Sequence, residues 1–165
     1  MSIEFMLPLG ILMGLLTWTL FMRWYIHPYI KNGHYDRVLE LILLIHTFRY
    51  IGLMFLVPGV TSGVLDTRFS HPAAYGDLIA AMLAFISILA LRLNMNGAQF
   101  TVWIFNVWGM VDLLNAVGRG LLYTEDGHLG ATYWIPAMAV PPLLVTHGYV
   151  FLLLVKHGSC RKKIS

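Results

Sequence analysis

Five long apolar stretches constrain the fold of this chain more than any other feature of its sequence. A helix needs roughly 20 apolar residues to cross a bilayer, and each stretch approaches that length. The stretches cover approximately residues 5–26, 37–58, 74–92, 100–123 and 133–156. Charged residues form only 12% of the chain, about half the share typical of a soluble domain. The sequence therefore predicts one all-α transmembrane domain over residues 1–165, an integral membrane bundle of five helices.

The basic residues predict how this bundle is oriented. Cytoplasmic connections of membrane proteins carry an excess of Lys and Arg. Basic residues concentrate near the first connection, near the third connection and in the tail: Arg23, Lys31, Arg37, Arg92, Lys156, Arg161, Lys162 and Lys163. The other end is poorer in them: Glu4, Asp66, Arg68, Glu125 and Asp126. We therefore expect the N-terminus outside and the C-terminus in the cytoplasm, in a bacterial inner (plasma) membrane.

An arginine lies in the middle of the second stretch, ELILLIHTFRYIGLMF. A charge at that depth is costly unless it is paired, and a carboxylate is the usual partner of a buried arginine. Arg49 and Asp112 each lie twelve positions from the predicted cytoplasmic ends of their helices, the second and the fourth. The sequence thus predicts an Arg49–Asp112 ion pair inside the bundle.

Two histidines are also matched in depth. His46 of the second helix and His147 of the fifth lie nine positions from the cytoplasmic ends, or about 14 Å at 1.5 Å per residue. We therefore expect the two imidazole rings to face each other. Such a pair could also be the two axial ligands of a haem iron.

Other polar residues extend this predicted site along helical faces. Tyr50 follows His46 and Arg49 at helical spacing, and Asp77 near the outer end of the third helix is a predicted partner of Arg119. The fourth helix repeats polar or amphipathic residues at steps of four, three and four. The full predicted site is His46, Arg49, Tyr50, Asp77, Trp108, Asp112, Asn115, Arg119 and His147.

Proline and glycine patterns predict two local features. Pro136 and the pair Pro141–Pro142 remove backbone donors from the fifth helix, so it should kink or loosen there. Gly10 and Gly14 in the first helix have the GxxxG spacing that permits close helix contact, either within the bundle or between two copies of the chain.

These features support three functions. The first is a buried site between helices 2, 4 and 5 that binds a small hydrophobic or amphipathic molecule, quinone-like or lipid-like, or that couples proton or solute movement. The second is a non-catalytic membrane subunit or assembly factor, partnered by other membrane chains, whose polar residues form a structural ion-pair network. The third is a b-type haem protein with His46 and His147 as axial ligands.

Other classes of function fit the sequence poorly. It contains neither the HExxH motif of zinc proteases nor the GxSxG motif of serine hydrolases, so an enzyme is the least favoured class. The formal charge of +3 is small and scattered, which argues against a nucleic-acid partner. The lipid bilayer is the expected surrounding.

Overall fold

The computed structural model describes residues 3–124 and 127–161, with side chains for residues 5–124 and 127–156, and this part of the chain is helical without strands. Several charges used above to predict the orientation lie outside the described residues or side chains. These are Glu4, Glu125, Asp126, Arg161, Lys162 and Lys163.

Five helices are long and apolar enough to cross a membrane, which confirms the predicted all-α, five-helix architecture. We call them the first to fifth spans. They are Phe5–Lys31, Tyr35–Leu56, Thr67–Arg92, Ala98–Tyr123 and Gly130–Lys156. Many large apolar side chains on their outer faces are exposed, including Leu12 and Phe100. This surface is the one expected for a bundle surrounded by lipid, where backbone groups are satisfied within helices.

Only the third and fourth spans are uninterrupted α-helices. The first span consists of an α-helix, a π-helical turn and a short α-helix: Ile3–Phe21, Met22–Ile26 and His27–Lys31. The second changes from α-helix to 3₁₀-helix: Tyr35–Thr47, then Phe48–Leu56. The fifth span combines a 3₁₀ turn, a π-helical turn and a long α-helix: Gly130–Tyr133, Ile135–Ala139 and Val140–Arg161.

Both π-helical turns lie beside prolines. The turn Met22–Ile26 precedes Pro28, and the turn Ile135–Ala139 includes Pro136 and precedes Pro141 and Pro142. Proline lacks the backbone N–H of an α-helical ladder and crowds the preceding turn, which a locally wider helix accommodates. The predicted loosening of the fifth helix is therefore present as a π-helical turn.

The third span begins at Thr67, seven residues before the position predicted from hydropathy. Asp66 caps it, accepting a hydrogen bond from the backbone N–H of Arg68 at 2.8 Å. Hydrogen bonds from the Arg68 side chain and backbone lower the pKa of Asp66, so the cap remains charged. The early start matters for the site because it places Asp77 in the middle of the span rather than near its end.

The third span packs along the second and fourth, whereas the first span packs mainly along the fifth. One apolar cluster lies towards the predicted cytoplasmic end and includes Leu39, Phe105 and Val150. Another lies towards the opposite end and includes Phe55 and Phe69. The buried charges described below come from the middle of the spans, between these two clusters.

The GxxxG motif packs within the bundle. A Cβ atom on Gly14 would lie 2.7 Å from Cγ of Pro141, and one on Gly10 would lie 3.9 Å from Cβ of Ala137. The contact at Gly14 therefore requires glycine, whereas Gly10 has room for a methyl group.

We expect Gly14→Ala to lower the free energy of unfolding by about 1–3 kcal/mol, because its methyl group would overlap the Pro141 ring. Gly10→Ala, in the same motif, is the matched control and should be neutral or stabilising by up to about 1 kcal/mol. Unfolding of the purified protein in detergent measures both, and equal effects would contradict the assigned contact.

Candidate functional site

Arg49 is the centre of a buried ion-pair network in the middle of the bundle, with only 3% of its surface exposed. Its Nη2 donates to Oδ2 of Asp112 at 2.8 Å, and its Nε donates to Oδ1 of Asp77 at 2.7 Å. Its Nη1 donates to the backbone oxygen of Gly109 at 3.1 Å. The predicted Arg49–Asp112 pair is confirmed, and Asp77 is a second carboxylate partner that the sequence analysis assigned elsewhere.

The 3₁₀-helix of the second span determines which side chains face this network. Such a helix has three residues per turn, so residues three apart lie on one face. The buried residues of Phe48–Leu56 follow this spacing: Arg49, Gly52 and Phe55. Tyr50 was predicted to share the face of Arg49 from α-helical spacing. That prediction is wrong, because Tyr50 is 50% exposed on the outside of the bundle.

The predicted pairing of Asp77 with Arg119 is also wrong. It assumed that Asp77 lies near the outer end of its helix, but the helix begins at Thr67 and places Asp77 at the level of Arg49. Arg119 instead donates to the side-chain oxygen of Asn115 at 2.9 Å and to the backbone oxygen of Arg68 at 2.8 Å. Arg119 therefore links the third and fourth spans at the ends opposite the predicted cytoplasmic side.

The face predicted for the fourth span is displaced. Trp108 is 44% exposed and Asn115 is also exposed, so neither reaches the buried network. The buried face instead contains Asn106, Gly109 and Asp112. Steps of three residues turn a helix by about 300°, so these three positions cover an arc that points into the bundle.

His46 and His147 face each other as predicted, with ring centroids 4.2 Å apart. Nη1 of Arg49 lies 3.2 Å from Nε2 of His147. Since arginine can only donate, Nε2 of His147 must accept, which assigns its proton to Nδ1. That Nδ1–H donates to Oδ1 of Asn106 at 2.8 Å, and Nδ2 of Asn106 donates to the backbone oxygen of His147 at 3.2 Å.

His46 is bound to the fifth span through Thr146. The Thr146 hydroxyl donates to the backbone oxygen of Pro142 at 2.7 Å, so it accepts from Nε2–H of His46 at 2.9 Å. Nδ1 of His46 is buried and has no hydrogen-bond partner in the described part of the chain. We call His46, Arg49, Asp77, Asn106, Asp112, Thr146 and His147 the polar cluster.

This arrangement does not fit a haem iron between the two histidines. Bis-histidine ligation requires one nitrogen of each ring to point at a shared iron, with the macrocycle between the rings. Here the rings are in contact, both nitrogens of His147 are hydrogen-bonded, and His46 uses Nε2 for Thr146. Among the described side chains, those of residues 5–124 and 127–156, no group of three or more His, Cys, Asp or Glu could hold a metal ion.

Three glycines make room for the charged groups, a role the sequence analysis missed. A Cβ on Gly76 would overlap the Asp112 carboxylate, and one on Gly52 would overlap that of Asp77. A Cβ on Gly109 would lie 2.5 Å from Cε1 of His147 and 2.9 Å from Nη1 of Arg49. The available signal was a glycine beside, or three residues from, a charged residue inside a span.

An apolar cavity of about 500 Å³ adjoins the polar cluster on the side away from the predicted cytoplasmic end. The first, third, fourth and fifth spans contribute most of its walls, whereas the sequence analysis placed the site between the second, fourth and fifth. Among the described residues that line the cavity, Asp77 is the one acidic or basic residue. Thr124 also lines the cavity, and its buried hydroxyl has no hydrogen-bond partner there.

We expect Arg49→Leu to lower the free energy of unfolding by about 3–5 kcal/mol, because it leaves two buried carboxylates without a partner. Adding Asp112→Leu should restore only part of this loss, since Asp77 remains, whereas neutralising both carboxylates should restore most of it. Arg92→Leu, which breaks an exposed pair with Glu40, should cost about 0–1 kcal/mol. Additive losses measured by denaturant unfolding would mean that the three residues are not coupled.

Gly109→Ala should destabilise the protein by at least about 2 kcal/mol, because the methyl group would displace His147 and Arg49. Gly118→Ala is the matched control in the same span, since nothing lies within 4 Å of an added Cβ there. The control should be neutral or slightly stabilising in thermal unfolding. A tolerated Gly109→Ala would contradict the close approach of His147.

Comparison with protein families identifies the family to which the chain belongs. A family model described as a domain of unknown function, DUF8737, matches residues 6–155. No curated protein and no solved structure matches the chain. The matched residues include every member of the polar cluster and nearly all of the five spans, so the chain belongs to the DUF8737 family.

Proposed function

We propose that this protein is an integral membrane protein that binds a small amphipathic molecule, quinone-like or lipid-like, in the cavity beside Asp77. This proposal is supported by an apolar space of about 500 Å³ whose one acidic or basic lining residue in the described part of the chain, Asp77, belongs to the polar cluster. Ligand pockets of proteins have this size and this composition, mostly apolar with a few polar groups that orient the ligand.

The cavity can be entered from the lipid. Met6 of the first span and Leu121 of the fourth span line it, and both side chains are exposed on the outside of the bundle, by 44% and 75%. The first span packs along the fifth rather than the fourth, so the cavity lies between the first and fourth spans. A ligand dissolved in the bilayer therefore reaches the site without crossing water.

The charges of the polar cluster support a role beyond packing. Two carboxylates share one guanidinium, and the neighbouring histidine accepts a hydrogen bond from that guanidinium and is therefore neutral. The cluster thus has one more acid than base. Such an excess gives the bundle a group that can exchange a proton with a bound molecule, which supports coupling of binding to proton movement.

The basic side chains support the proposed orientation. At one end lie Arg23, Lys31, Arg37, Arg92 and Lys156, and at the other lie Arg68 and Arg119. By the positive-inside tendency the first end is cytoplasmic, which leaves the N-terminus and the cavity in the outer half of the membrane. A bacterial inner membrane is the membrane we propose.

The test is to identify what co-purifies with the protein. We expect mass spectrometry of lipid extracts from protein purified in polymer nanodiscs to detect one amphipathic species in stoichiometric amount. Ala116→Trp places an indole in the cavity and should reduce that species about tenfold, equivalent to 1.4 kcal/mol. Leu114→Trp, on the exposed side of the same span, is the control and should leave it unchanged.

Equal amounts of every extracted species in the two tryptophan variants would contradict ligand binding in the cavity. A stoichiometric membrane partner purified with a ligand-free protein would favour the alternative, in which the polar cluster is a structural ion-pair network of a membrane subunit. That alternative is supported by the way Arg49 joins the second, third and fourth spans.

A further inference from the structure

We propose that the cavity selects ligands whose polar head donates a hydrogen bond, a hydroxyl or a protonated amine, over anionic or acceptor-only heads. This inference rests on the proposed function and narrows its ligand class. Among quinone-like molecules it favours the hydroquinone over the quinone, and among lipid-like molecules it favours amines and alcohols over phosphates and carboxylates.

The charged part of the cavity lining is negative. The cavity lining contains the Asp77 carboxylate, and its described residues include no Lys, Arg or His. A head that carries negative charge would face Asp77 without a compensating cation in a medium of low dielectric constant, which is strongly unfavourable. A donor or a cation is complementary there.

Arg49 does not serve as the cationic partner of a ligand, because its donors are already in use. Its Nε, Nη1 and Nη2 already donate to Asp77, to Gly109 and His147, and to Asp112. Arg49 is also outside the cavity lining. The guanidinium therefore holds the carboxylates in place, while the charged residue that lines the cavity is Asp77.

One carboxylate oxygen of Asp77 accepts no hydrogen bond from the described residues. Oδ1 accepts from Arg49, whereas Oδ2 accepts no hydrogen bond from the described residues. A buried carboxylate is stabilised by filling its remaining acceptor sites, so a donor from a ligand gains a charge-assisted hydrogen bond. A quinone carbonyl, an ester or an ether has no proton to give and cannot make that bond.

The positions of Asp77 and Thr124 also determine how a ligand is oriented in the cavity. Asp77 lies at the level of Asp112, and Thr124 lies twelve residues further along the fourth span, which is roughly 18 Å of helix. Asp77 and Thr124 are therefore at opposite ends of the cavity. The donor head enters first and reaches Asp77, while the apolar body extends towards the outer end near Thr124.

A series of probes with one chain and different heads tests the inference. Dodecanol, dodecylamine, dodecyl methyl ether and dodecanoate are each equilibrated with the full-length protein in nanodiscs, and bound probe is measured by native mass spectrometry. We expect dodecanol and dodecylamine to bind about tenfold more tightly than the ether, the difference contributed by one charge-assisted hydrogen bond. Dodecanoate should bind most weakly.

The matched variant is Asp77→Asn, which keeps the shape of the side chain and removes its charge. It should abolish the preference for dodecylamine and dodecanol over the ether, because the amide oxygen stays with Nε of Arg49 and an NH₂ donor takes the place of Oδ2. Asp66→Asn, at the exposed cap of the same span, is the control and should change nothing. If Asp77→Asn does not fold, the order of the four probes on the unaltered protein decides the question.

Two failures are distinguishable. If all four probes bind equally, or dodecanoate binds best, and Ala116→Trp still removes them, the selectivity is wrong while ligand binding in the cavity stands. If none of the probes binds, or Ala116→Trp leaves their binding unchanged, the proposed function itself is wrong.

Discussion

The structure depends on one guanidinium shared between two carboxylates. Arg49 comes from the second span, Asp77 from the third and Asp112 from the fourth, and His147 of the fifth span accepts a further hydrogen bond from it. Lipid drives helices together far less strongly than water does, so polar contacts and close packing supply much of the specificity of such a bundle. A network that includes all four spans fixes their relative depth, since a shift of any one separates a charge from its partner.

The polar cluster is possible only because the backbone is adapted to it. Close approach of the carboxylates requires Gly52 and Gly76, and the imidazole of His147 requires Gly109. The second span also changes to a 3₁₀-helix one residue before Arg49. A 3₁₀-helix of nine residues is unusually long, and its poorer hydrogen-bond geometry has a cost that the ion pairs offset. Sequence features that look unrelated, three glycines and one helix transition, thus serve the same pair of interactions.

Much of this site follows from the sequence, and the parts that do not have identifiable physical causes. Hydropathy indicated five spans, and counting residues from their predicted cytoplasmic ends paired Arg49 with Asp112 and His46 with His147, because depth along a regular helix scales with residue number. The same counting failed for Asp77, since Pro72 and neighbouring polar residues hid the true start of the helix at Thr67. It failed for Tyr50 because no residue pattern signalled the change of helical pitch at Phe48. The cavity could not be predicted, since it depends on which spans do not touch.

The position of the cavity relative to the polar cluster has a mechanical consequence. The second, third, fourth and fifth spans share the buried network, whereas the described side chains of the first span take no part in it. The first span is held instead by close contact of Gly14 with Pro141, beside the π-helical turn of the fifth span. Since it also forms one wall of the cavity, a small displacement of this span changes the volume of the cavity while every charged contact of the network stays intact. The bundle therefore has two parts: four spans keep the carboxylate of Asp77 in a fixed position, and the first span, outside the buried network, borders the cavity.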